Sequence, residues 1–217
     1  MNSTLSLRMG AALLIVLGSV GNDTTAEEPT RLIFYLHGRI LEEQGLGATS
    51  EVFGHYDYEG IVQELGRKGH TVVSEIRGKN TDASTYAEKI AAEIRKRMAD
   101  GIPASHITVV GASKGAAITV LVSNLLRNRQ IKYVTLAICA EQTNDYFEKN
   151  GVCVYGEVLS VYETSDEIAG SCESLFNRCS TELAAHEEIA TSLGNGHGMV
   201  YKPYEEWVGP TLRWTER

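Results

Sequence analysis

Apolar and polar positions fall in blocks along this chain, and the blocks change period. After Arg31, residues 31–36 (RLIFYL) are apolar up to His37-Gly38, which predicts a strand buried on both faces. Over residues 56–69, Tyr58, Ile61, Val62 and Leu65 follow a helical spacing, and Gly69 closes the stretch. Residues 70–76 (HTVVSEI) read as a second strand. Thr81 or Asp82 then caps a helix whose Tyr86, Ile90, Ile94 and Met98 recur every four residues, ending near Gly101. A third strand is expected at 107–110 (ITVV), followed by a helix at 114–127. Strands four and five fall at 133–139 (YVTLAIC) and 157–163 (EVLSVYE), and helical patterns occupy 180–192 and 203–214.

Strands alternating with helices at this rhythm imply an α/β fold: a mostly parallel sheet covered by helices on both faces, with right-handed crossovers. Ligands in such folds sit at the carboxyl ends of strands. That rule selects the loops 37–55, 77–80, 111–114 and 164–171. With 217 residues, 43% of them hydrophobic, the chain suits one domain with a substantial core.

The first residues change the expected location. Arg8 precedes an apolar run of 12 residues, Met9 to Val20, which is too short to span a bilayer but suits a secretory signal. Small residues follow at plausible cleavage points, Gly21 and Ala26. The chain therefore divides into a signal over 1–26 and one α/β domain over 27–217, secreted or periplasmic and without a stable membrane anchor. A net charge of −8 with scattered Lys and Arg gives no basic surface for nucleic acid. The four cysteines, Cys139, Cys153, Cys172 and Cys179, then read as two disulfides with three possible connectivities. A Cys172–Cys179 bond requires a break in any helix between them. Zinc is disfavoured, since there is no CxxC and no histidine cluster nearby.

The chemistry concentrates in "ITVVGASKGAAITVL", residues 107–121. Gly111-x-Ser113-x-Gly115 stands between a strand and a helix, the setting of a nucleophile held on a sharp, strained turn. Side chains at either glycine would strike the neighbouring strand or helix, and the turn leaves the Lys114 N–H at a helix N-terminus, aimed at an oxyanion. The stretch also resembles the glycine-rich turn of short-chain dehydrogenases, which bind NAD(P). That turn follows the first strand of its fold, however, and Ala117 replaces its last glycine. Tyr146 is followed by Asn150 where those enzymes need a lysine. A P-loop fails because Lys114 precedes Gly115 rather than following it.

LHGR at 36–39, GASKG at 111–115, an acid at a strand end and a late histidine together resemble the α/β-hydrolase superfamily, over about residues 31 to 200. The resemblance implies a triad in the order serine, acid, histidine, and an oxyanion hole formed by the backbone N–H groups of Arg39 and Lys114. His37 is then a loop brace. Of the histidines after Ser113, His197 in a glycine-rich loop is preferred over His186 in the helical ELAAHEEIA. Asp166, directly after the fifth strand, is the preferred acid over Asp145, Glu163 and Glu167. The connection 140–156 is short, so the protein resembles a small lidless serine esterase, with Tyr56, Tyr58, Tyr146 and Phe147 as apolar walls for a small to medium acyl group. The implied substrate is a small-molecule ester or thioester, and neither cofactor nor metal is called for. The other class of function is a binding protein on the same scaffold.

Overall fold

The computed structural model describes residues 31–217; the expected signal over 1–26 lies outside the described residues. In chain order the elements are β1 (Leu32–Leu36), α1 (Arg39–Gln44), β2 (Thr49–Ser50), β3 (Gly54–His55), α2 (Tyr58–Leu65), β4 (Thr71–Val73), α3 (Ala83–Ala99) and β5 (Ile107–Ala112). They continue with α4 (Lys114–Leu126), β6 (Lys132–Leu136), α5 (Glu141–Lys149), β7 (Gly156–Glu163), α6 (Glu173–Arg178), β8 (Leu183–Thr191) and α7 (Glu205–Thr215). Six strands form one parallel sheet in the order β4-β1-β5-β6-β7-β8. β2 and β3 make a separate antiparallel hairpin.

Every residue of β1 is buried, because its two faces feed two cores. Leu32, Phe34 and Leu36 pack with Val109, Tyr133 and Val158 under α3, α4, α5 and α6. Ile33 and Tyr35 pack with Val110, Val134 and Leu159 under α1, α2 and α7. Continuous apolar strands are what a parallel sheet covered on both sides requires. Helix starts follow local chemistry: Asp57 Oδ1 accepts from Gly60 N (3.0 Å) ahead of α2, and Asp82 Oδ1 accepts from Thr85 N (2.8 Å) ahead of α3.

From β1 the chain moves outward to β4, then crosses back to β5 on the other side of β1. The carboxyl ends of β1 and β5 are thus neighbours, with Leu36 in register with Gly111. This reversal is the switch point at which open α/β sheets bind ligands.

Residues 180–192 are not helical: they form β8, the sixth strand, paired with β7 from Gly156–Leu183 to Glu163–Thr191. Its Ala and Glu content favours a helix in isolation, but eight residue pairings with β7 override that preference. β8 is an edge strand, and its charged residues suit an edge that must stay unpaired on one side. His186 therefore lies on a strand edge, with its ring 4.8 Å from that of Phe176. Two short helices escaped the sequence reading, α1 and α6. α6 runs unbroken between Cys172 and Cys179, and these two do not bond to each other. The disulfides are Cys139–Cys172 and Cys153–Cys179.

Candidate active site

Ser113 is the hinge between β5 and α4, with φ 53° and ψ −117°. A non-glycine residue in this region carries about 1–3 kcal/mol of strain and persists only where its surroundings impose it. Here they do. Ser113 N donates to Leu136 O on β6 (2.9 Å), and Ala116 N and Ala117 N donate to Ser113 O (2.8 and 3.2 Å). A Cβ at Gly115 would overlap Leu36 O and approach His37 O to 2.7 Å, while one at Gly111 would overlap Gly115 O and Thr119 Oγ1. The end of β1 packs backbone to backbone against the first turn of α4, which is why both flanking positions are glycine.

The 3₁₀ turn Gly196–Val200 carries His197 over the end of the sheet. Its Nε2 lies 2.9 Å from Ser113 Oγ and its Nδ1 2.7 Å from Asp166 Oδ2. The Asp166 side chain is fully buried and that of His197 is 9% exposed, so water has little access to the bond between them. The Asp166 carboxylate accepts from Nδ1–H, which leaves the Nε2 lone pair facing the Ser113 hydroxyl. Asp166 Oδ1 accepts from Ile168 N (2.8 Å), fixing the other carboxylate oxygen. Phe53, brought in by the β2–β3 hairpin, packs its ring 6.2 Å from the His197 ring.

The rival acids lie elsewhere. Asp145 is on the exposed face of α5, 3.4 Å from Lys149 Nζ, and Glu167 is exposed beside Asp166. Glu163 is buried but does not meet His197. It accepts from Thr191 Oγ1 (2.7 Å), Leu193 N (2.8 Å), Gly194 N (3.3 Å), Ser165 N (3.4 Å) and Ser165 Oγ (3.1 Å). Burial alone would raise its pKa, but these hydrogen bonds together outweigh burial and hold it at about 2. Its carboxylate thereby ties the loop that carries Asp166 to the loop that leads into His197.

Arg39 and Lys114 are the first residues of α1 and α4, so neither N–H has an acceptor within its own helix. A Cβ at Gly38 would stand 3.8 Å from Ser113 Cβ, so the turn leading into Arg39 lies directly against the serine. Gly38 N donates to Tyr56 Oη (3.4 Å), which also shares a 2.6 Å hydrogen bond with Tyr35 Oη.

Beneath this turn lies a charged cluster that the sequence reading missed. Arg77 N donates to His37 Nε2 (2.9 Å), so Nδ1 carries the proton and donates to Gly38 O (2.7 Å). Burial, then the nearby Arg77 charge, lower the His37 pKa to about 4 and keep the ring neutral. Arg77 also donates through Nη2 to His37 O and through Nε to Glu42 Oε1 (2.7 Å). Lys114 Nζ donates to Glu42 Oε2 (2.6 Å) and to Thr81 O (2.6 Å). Apart from the His37–Gly38 bond, each joins segments far apart in sequence, so hydrophobic periodicity cannot reveal them. The available signal was charged residues, Glu42 and Arg77, just after strand ends.

A cleft of about 730 Å³ opens beside Ser113 and His197. Its apolar lining comes from Leu121, Ile138, Phe147, Ile168, Ala137 and Tyr146, and its polar edge includes Arg39, Asp82 and Ser84. Tyr56 and Tyr58, expected as walls, are not in it. Tyr56 is fully buried under Gly38, and Tyr58 Oη donates to Ser74 Oγ (2.8 Å). The connection 140–156 carries α5, whose Tyr146 and Phe147 do line the cleft as expected. Among the described residues no group of three or more His, Cys, Asp or Glu is placed to hold a metal ion, and no helix is long and apolar enough to cross a membrane.

No family model and no curated protein matches the sequence. Solved structures do. SOBER1 from Arabidopsis thaliana superposes with a TM-score of 0.56 at 15% identity, covering 84% of this chain and 99% of that one. A phospholipase/carboxylesterase from Dyadobacter fermentans gives 0.57 at 12% identity, with 88% and 91% covered. RedJ, a thioesterase of prodiginine biosynthesis from Streptomyces coelicolor, gives 0.51 at 13% identity, with 87% and 90% covered. The parallel six-stranded sheet, its switch point and the helices on both faces are those of the α/β-hydrolase fold, and this chain has that fold.

Proposed function

We propose that the protein is an exported serine hydrolase that cleaves carboxylic esters or thioesters of small to medium acyl groups through an acyl-enzyme on Ser113. The observation that carries this reading is the unbroken chain from the Asp166 carboxylate through His197 to Ser113 Oγ, with the serine on a strained turn at the mouth of a cleft. The esterase and thioesterase names among the structural neighbours agree with it. Export agrees with the apolar run near the N-terminus and with the placement of all four cysteines in disulfides.

In this mechanism Ser113 Oγ attacks the acyl carbon while His197 Nε2 takes its proton. Asp166 holds the tautomer and stabilises the imidazolium without itself being protonated. The carbonyl oxygen becomes an oxyanion that accepts from the N–H groups of Arg39 and Lys114. Collapse expels the alcohol or thiol, protonated by His197. Water then repeats the sequence on the acyl-enzyme, and Ser113 Oγ leaves. The test is a fluorophosphonate probe followed by peptide mapping, together with p-nitrophenyl butyrate turnover. Labelling at Ser113 and loss of both labelling and turnover in Ser113→Ala support the proposal. Absence of an adduct on folded wild-type protein favours a binding protein on this scaffold.

A further inference from the structure

We infer that Glu42 is a positioning residue that sets the oxyanion hole, holding the Arg39 and Lys114 N–H groups at a fixed spacing through a buried cluster of three charges. The inference rests on the serine-hydrolase reading above. The two N–H groups sit on different helices, and no main-chain hydrogen bond joins those helices to each other. The Glu42 carboxylate makes the connection. It sits on α1, three residues after Arg39, with its side chain 2% exposed. One oxygen accepts from Lys114 Nζ at 2.6 Å, so the side chain of the second N–H residue is tied to the helix that begins with the first.

The other oxygen accepts from Arg77 Nε at 2.7 Å, and Arg77 in turn holds the turn before Arg39 from two sides. Its Nη2 donates to His37 O and its backbone N–H to His37 Nε2. The His37 ring closes the loop by donating to Gly38 O. The turn 37–39, α1, the segment 77–81 and Lys114 are thus one cross-linked unit with Glu42 as its common acceptor.

Two features give this cluster a geometric consequence beyond its part in stability. A buried ion pair contributes little net stability when intact, because desolvation offsets most of the attraction, although removing one partner alone is destabilising. Removing the carboxylate alone would leave two cations facing one another, Arg77 fully buried and Lys114 only 16% exposed. Their repulsion would push Lys114 away from α1 and change the spacing of the N–H groups. Oxyanion donors act only if they point at the oxygen of the transition state, so this displacement is felt in the chemical step and not in substrate binding.

The experiment compares wild type, Glu42→Gln and Lys114→Met on p-nitrophenyl butyrate, alongside the affinity of butylboronic acid as a tetrahedral mimic. Removing one oxyanion donor outright lowers kcat by about 10²–10³, so displacement in Glu42→Gln should lower kcat by about 10–100-fold with KM within about twofold. Boronate affinity should weaken by a similar factor, and Glu42→Asp should recover part of the rate. Lys114→Met keeps the N–H but loses the tether, and should show the same split at smaller size. If Glu42→Gln does not fold, Lys114→Met alone decides. A kcat within twofold of wild type in the folded variants, or a loss confined to KM or to melting temperature, overturns the inference and leaves the hydrolase reading intact. A wild-type protein with neither turnover nor Ser113 labelling overturns that reading itself, and the inference with it.

Discussion

Removing the Cys139–Cys172 disulfide should destabilise the protein substantially and disturb the cleft, because of what the bond holds. The bond closes a loop with a sequence separation of 33. For a loop of that length the chain-entropy relation gives about 3.8 kcal/mol, and about 3.6 for the separation of 26 at Cys153–Cys179. The two loops share residues 153–172, so losing both bonds should cost less than the sum. The four cysteines bracket two helices: Cys139 and Cys153 lie on either side of α5, and Cys172 and Cys179 on either side of α6. The wall helix of the cleft is therefore stapled at both ends to α6. Cys139 O also accepts from Gly170 N (3.0 Å), so the first bond additionally clamps the segment carrying Asp166. The double variant Cys139→Ala/Cys172→Ala, which leaves no new thiol, should lose roughly 3–4 kcal/mol in urea unfolding and about 8–15 °C in melting temperature. Its urea slope should steepen, because the unfolded chain expands. Its kcat should fall more than that of Cys153→Ala/Cys179→Ala. A loss below about 1 kcal/mol, well under the chain-entropy figure, or a peptide map showing another pairing, would refute this reasoning.

Asp166→Asn should fold and lose about 10⁴ in kcat, since the amide favours the wrong His197 tautomer. Asp145→Asn and His186→Ala should stay near wild type; a crippled Asp145→Asn would move the acid. Acid should destabilise the fold in two steps. His37, lowered from 6.5 to about 4, contributes stability above pH 6.5 that is lost as pH falls towards 4. Glu163, lowered from 4.5 to about 2, contributes above its ordinary value and loses that contribution as pH falls towards 2. Urea midpoints across pH 7 to 3 should therefore decline, and Glu163→Gln should flatten the lower part; a flat wild-type profile would count against both assignments. The specificity constant for p-nitrophenyl esters should rise over the first few acyl carbons, at about 0.8 kcal/mol per buried methylene. It should then level off once the walls of Leu121, Ile138 and Phe147 are filled, without a jump at a lipid–water interface, because α5 is stapled. A steady gain to long chains would refute that limit.

The fold was legible where burial imposes one pattern on every residue. β1, β5, β6 and β7 are covered on both faces, so their apolar runs survive any uncertainty of register. α3 and α7 face one core each, and their spacing shows it. β8 was not legible for the opposite reason. Paired on one side only, it needs few apolar positions, and its Ala-Ala-His-Glu-Glu run is free to carry helix-forming residues. α1 was hidden by length, since six residues span fewer than two helical turns.

At the site, what could be read was whatever the backbone demands locally. Gly111 is required by its contact with the first turns of α4 and Gly115 by its contact with the end of β1, and together they leave a mark within five residues. The Asp166 and His197 positions followed from strand ends and chain order, and the structure brings both to Ser113. Glu42 and Arg77 left no comparable mark, and Glu163 stood out only as a rival acid. Arg77 lies 35 positions from Glu42, Lys114 lies 72 from it, and Glu163 binds residues 28 to 31 further on. A buried carboxylate is tolerated only when its partners arrive from elsewhere in the fold, and those partners are set by strand order rather than by local sequence. The residues that brace the turn before Arg39 and the side chain of Lys114 therefore look, in one dimension, like ordinary surface charges. They become identifiable only once the β1–β4–β5 reversal has brought their partners together.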